Sequence, residues 1–68
     1  MSEIVFLVEN AADGRLTARA LNHSIYTEAD TYEELRDQVR EAVRCHFKQD
    51  QHPTMIRLYY VKDEVLTV

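Results

Sequence analysis

The sequence predicts an α+β domain of order β-β-β-α-β, an antiparallel meander plus a fourth strand, with one helix packed on one sheet face. Three observations predict it. Apolar runs of strand length stand before residue 30 and after residue 53, a single stripe of helical period lies between them, and turn chemistry occupies each junction.

The run Ile4-Val5-Phe6-Leu7-Val8, within residues 3–9, is apolar at both parities, as a central strand buried on both faces would be. Asn10-Ala11-Ala12-Asp13-Gly14 supplies the turn, with the chain's only glycine where a hairpin needs positive φ. A second strand follows over about residues 15–21, its parity dividing Leu16, Ala18 and Ala20 from Thr17 and Arg19. Asn22-His23-Ser24 reads as the next turn and residues 25–29 as a short third strand.

Thr31-Tyr32-Glu33-Glu34 has the Thr-x-x-Glu form of a capping box and opens a helix predicted over 32–48. At 100° per residue, Leu35, Val39, Ala42, Val43 and His46 fall at about 0°, 40°, −20°, 80° and 20°, one stripe able to lie on a sheet. Acids Glu33, Glu34 and Asp37 come early and Arg40, Arg44 and Lys48 late, complementing the helix dipole at both ends. Gln49-Asp50-Gln51-His52-Pro53 ends the helix. Residues 54–61 make the fourth strand, and 65–68 continue it after the break Lys62-Asp63-Glu64 or fold back as a short hairpin.

The chain's 68 residues make one domain, 1–68, with 46% hydrophobic and 29% charged residues, a globular balance. Eight basic against twelve acidic side chains leave a net charge of −4, which repels phosphate backbones and argues against direct nucleic-acid binding. No apolar run approaches the roughly 20 residues that span a bilayer, and Met1-Ser2-Glu3 lacks the basic start of a signal peptide, so no membrane association and a cytoplasmic location are expected. With one cysteine no intrachain disulfide forms, which fits a reducing compartment.

Residues able to carry chemistry point weakly to catalysis. His23 and Ser24 are adjacent, with no acid fixed to orient the imidazole, and read as turn residues. Cys45, His46 and His52 lack the spacing of a metal set; His46 reads as a core-edge residue and Cys45 as partly exposed. A metal-dependent nuclease of ribonuclease H-like type would draw on Glu9, on Glu34, Asp37 or Glu41, and on Asp63. The inward positions of the first strand are all apolar, so the mid-strand acid such chemistry wants is missing. A single glycine excludes a Gly-rich phosphate loop, and no catalytic, cofactor or metal residue is assigned.

Asp13-Gly14-Arg15-Leu16-Thr17-Ala18, followed by Ile25-Tyr26-Thr27-Glu28-Ala29-Asp30-Thr31-Tyr32-Glu33-Glu34-Leu35, resembles the HicB-like antitoxin family, a UPF0150-type partial ribonuclease H-like domain. The likeness covers roughly the first two thirds of the chain. It departs at Asn22-His23-Ser24, where that family usually carries a Pro-Gly pair, and a DNA-binding segment of the full-length antitoxins would have to follow Val68. The resemblance implies an interaction module that either masks a small basic RNA-cleaving toxin of HicA type or is a solitary relative of unassigned role. An acidic net charge suits such a partner.

A homodimer is expected on separate grounds. One helix is about 10 Å across and a four-stranded sheet about 15–20 Å wide, so the helix leaves apolar sheet uncovered. A chain this short, without disulfide or metal, also needs further burial. Val5, Leu7, Tyr59 and Val61 are the expected buried residues, through the sheet surface or a strand edge, with Arg57 reaching toward an acid. Such a contact would bury about 1,200–2,000 Å².

Overall fold

A computed structural model describes residues 2–48, 50–62 and 65–68. Strands β1 (Glu3–Asn10), β2 (Leu16–Ala20) and β3 (Tyr26–Ala29) precede helix α1 (Tyr32–His46), and β4 (Met55–Tyr60) follows it. The sheet order is β3-β2-β1-β4, with β1 antiparallel to β2, β2 antiparallel to β3, and β4 parallel to β1. The predicted β-β-β-α-β arrangement is therefore the observed one, and α1 is the crossover that a parallel β1–β4 pair requires.

Element ends differ by a residue or two, for physical reasons. The helix stops at His46 rather than Lys48, because Phe47 adopts extended backbone and its N–H donates to Val43 O at 3.1 Å. That swings the Phe47 ring against the core. Residues 65–68 neither continue β4 nor return as a hairpin; they form no strand and stand exposed. Gln49 of the predicted helix stop, and Asp63 and Glu64 of the predicted break, lie outside the described residues.

Parity decides what each strand buries. Ile4, Phe6 and Val8 of β1 and Leu16, Ala18 and Ala20 of β2 turn toward α1, which answers with Leu35, Val39 and Val43. Ala18, Ala20 and Ala29 are the small residues of this layer, and their short side chains let the helix settle over β2 and β3. Val5 and Leu7, on the opposite side of β1, are half-buried between neighbouring strands rather than covered by a second layer.

The first turn is built by Ala11, whose N–H donates to Arg15 O at 2.7 Å, and by Gly14, whose N–H donates to Ala11 O at 3.0 Å. Gly14 sits at φ 88 with open space around its Cα, so the glycine is required by backbone conformation alone. Gly14→Ala should lower stability by about 1–2 kcal/mol, the cost of a left-handed L-residue, read as a shift of the urea midpoint with unchanged slope.

Thr31 is the N-cap of α1, in extended conformation, and its Oγ1 accepts from the Glu34 N–H at 3.1 Å. The cap forms as predicted, although no return bond from the Thr31 amide to the Glu34 carboxylate accompanies it among the described residues. Thr31→Ala should cost about 0.5–2 kcal/mol, enough to lower the Tm of a domain this small by several degrees. An unchanged Tm would place the cap elsewhere.

Candidate interaction surface

Two surfaces are left open by a helix that covers only one half of one face. The first is the sheet face away from α1. Across it the strand register aligns Tyr59, Leu7, Arg19 and Tyr26 in one row, with Arg57 beside Val5 and Glu9 beside Thr17 and Glu28 in the rows adjoining. Tyr59 and Tyr26, at the two ends of that row, are 60% and 61% exposed. The row thus carries exposed aromatic rings at both ends, with half-buried Leu7 between them, a pattern that marks contact surfaces.

Two arginines of this face, Arg57 and Arg15, pair with acids of their own chain. Arg57 Nε and Nη2 donate to the two Glu3 carboxylate oxygens at 3.1 and 3.2 Å, so the acid that Arg57 meets is one strand away on β1. The hydrogen bond first, and the Glu3 charge second, raise Arg57 above the ordinary guanidinium value. A raised basic group contributes while the pH stays below its unfolded value and loses that contribution only as the pH rises through the folded one, so this pair adds no pH dependence near neutrality. At the other end, Arg15 bridges Glu28 and Asp30, each at 3.1 Å.

The second surface is the flank of β4. A groove of about 430 Å³ runs between α1 and β4, with Val39, Val43, Ile56 and Leu58 as its apolar lining and Arg36, Arg40 and Arg44 along its helix wall. These arginines fall at about 100°, 140° and 180° from Leu35, one flank of the helix, while Asp37, Glu41 and Glu34 fall at about 200°, 240° and 260°, the other. Asp37 and Glu41 tether Arg40 and Arg44 at 3.3 and 3.7 Å. The result is a basic wall toward β4 and an acidic flank on the side away from it. The i, i+4, i+8 spacing of Arg36, Arg40 and Arg44 is the sequence signal for this groove, beyond the complement to the helix dipole that Arg40 and Arg44 supply.

Of the residues expected to be buried in a dimer, Val5, Leu7, Arg57 and Tyr59 share the open sheet face, and Val61 lies just past the end of β4, exposed, its N–H bonded to Val8 O at 2.9 Å. Exposed large apolar side chains gather around β4: Met55, Tyr59, Tyr60 and Val61, then Val65 and Leu66 beyond it. Tyr60 is held by stacking on Tyr32, with ring centroids 6.0 Å apart, and by a hydrogen bond from its hydroxyl to Asn10 Oδ1.

The other chemical candidates are dispersed. His46 is exposed rather than set in the core edge, its ring edge-on to Phe47 and His23 at 4.9 and 5.9 Å, because Phe47 takes the inward place at the helix end. Cys45 is exposed, and its thiol donates to Glu41 Oε1 at 3.8 Å. Among the described residues, no three His, Cys, Asp or Glu side chains come close enough to hold a metal ion. No described helix is long and apolar enough to cross a membrane.

A four-stranded sheet with one covering helix and an open flank defines a small two-layer α+β domain. The chain belongs to the UPF0150 family. It is 50% identical over 52 residues to a UPF0150 protein of Archaeoglobus fulgidus, spanning 76% of this chain and 77% of that one. It is 36% identical over 66 residues to a UPF0150 protein of Thermotoga maritima, spanning 97% and 93%. No protein-family model matches the chain. No solved structure matches it significantly either.

Proposed function

We propose that the protein is a homodimeric protein-binding module of HicB-like antitoxin type, working in the cytoplasm, which masks a small basic RNA-cleaving toxin of HicA type and performs no chemistry of its own. The observation that carries this reading is the uncovered apolar surface: with its one helix on the other face, the sheet keeps Tyr26, Met55, Tyr59 and Val61 in water. Surface of that kind is closed by another chain. Self-association takes the β4 side, where Arg57, Tyr59 and Val61 stand and where the arginine wall repels a basic partner. The acidic flank of α1, carrying Glu34, Asp37 and Glu41, is then free for that partner, and the net charge of −4 speeds their encounter.

The test is co-expression with the small basic protein encoded beside the gene, followed by affinity capture and an RNA-cleavage assay. The reading expects a complex that weakens with salt, loss of cleavage on binding, and weaker capture by an Asp37→Lys, Glu41→Lys variant. Absence of a complex, or of any such neighbour, would overturn the antitoxin reading.

A further inference from the structure

We propose that residues 65–68 of each copy add as an antiparallel strand to the open edge of β4 in a second copy, laying Leu66 and Val68 over the groove between that strand and α1. The proposal rests on the homodimer reading above and names its contact.

The two sheet edges differ in how they are defended. β3 has four residues, carries Glu28, and is followed directly by the turn into α1. β4 has six residues with one charge among them and no proline, the kind of edge that natural sheets seldom leave bare. Its backbone direction is fixed by two bonds: Met55 N–H donates to Ser2 O at 3.2 Å and Val61 N–H to Val8 O at 2.9 Å. Odd-numbered residues thus face β1, and alternation turns the N–H and C=O groups of Ile56, Leu58 and Tyr60 to the outer edge, where no described strand meets them.

Directly beyond that edge strand the chain carries Val65, Leu66, Thr67 and Val68, a strand-forming stretch. Val65 and Leu66 are 87% and 77% exposed. A twofold axis through Lys62, normal to the sheet, sets the two β4 strands antiparallel and carries each tail along the other's edge. Opposed residues must share a face, so Leu66 pairs with Leu58, Val68 with Ile56 and Val65 with Tyr59. This is the register in which both groove-side residues of the tail meet apolar groove-lining residues. Because the arrangement is twofold, two tails fill two grooves and the assembly closes.

Tyr59 and Val65 form a non-hydrogen-bonded pair in this register, with Cα atoms about 4.5 Å apart, within disulfide reach. In a Cys45→Ser background, Tyr59→Cys protein mixed with Val65→Cys protein should, on mild oxidation, give a covalent species of twice 8.0 kDa. Either variant oxidised alone should not, since like positions lie about 20 Å apart along the strands. Both substitutions are at exposed positions, so folding is kept. Leu66→Asp, removing the contact at two related sites, should raise the dimer dissociation constant by about a hundredfold with an unchanged circular dichroism spectrum. A parent chain that is monomeric overturns this contact and the homodimer together. A parent dimer that neither crosslinks in the mixture nor responds to Leu66→Asp overturns the contact alone and leaves the homodimer standing. A disulfide that forms only within one chain of a Tyr59→Cys, Val65→Cys double variant would mean a hairpin, and equally overturns it.

Discussion

Phe6→Ala is expected to leave the chain largely unfolded in buffer where the parent is folded. Phe6 is fully buried in β1, the strand that pairs on both sides, with Ala20 and Leu58 as its register partners. Truncating a buried phenylalanine costs about 3–5 kcal/mol, transfer and cavity together. A domain of this length has only about 3–10 kcal/mol in total. Ala18 and Ala20 beside it have no side-chain length with which to fill the hole, so little relaxation offsets the loss. Urea titration followed by far-ultraviolet circular dichroism measures it. A midpoint shift equivalent to less than about 1 kcal/mol would mean that Phe6 is not at the centre of the core.

Leu35→Ala comes next in size, at about 2–5 kcal/mol. Leu35 is the first inward residue of α1 and is fully buried, one turn before Val39. Those residues, with Val43, are the cover of β2 and β3, so loosening the helix wets Leu16, Ala18, Ala20 and Ala29 at the same time. Helix and sheet should therefore melt in one transition, with far- and near-ultraviolet signals coincident. A variant that loses helical signal while the tyrosine environment of the sheet persists would show that the sheet stands without its helix.

The fold was legible because its periods are unmixed. Ile4, Phe6 and Val8 alternate with Val5 and Leu7, the stripe through Leu35, Val39 and Val43 has helical spacing, and Gly14 and Thr31 mark a turn and a cap by mechanism. What period alone does not fix is which end residue faces inward. Phe47 leaves the helix and takes the place that the stripe assigned to His46, a choice made by tertiary packing. Residues 65–68 have the composition of a strand and no partner within the described chain, because strand propensity needs an edge to pair with.

The interaction surface was legible in part. The counting of one helix against four strands leads to uncovered sheet, and Val5, Leu7, Arg57 and Tyr59 lie together on the open face as parity requires. The groove beside Ile56 and Leu58 depends on which half of the sheet the helix covers. That choice follows from the seat that Ala18, Ala20 and Ala29 provide over β2 and β3, a matter of side-chain volume in three dimensions that spacing along the chain does not carry.

In the proposed assembly the surface left open beside β4 is closed by a second copy of the chain. Sedimentation equilibrium of the unmodified protein, from low to high micromolar concentration, tests it most directly. A homodimer should show a concentration-dependent approach to twice 8.0 kDa, with thermal stability rising as the dimer fills. A single species of 8.0 kDa persisting at high micromolar concentration would contradict it.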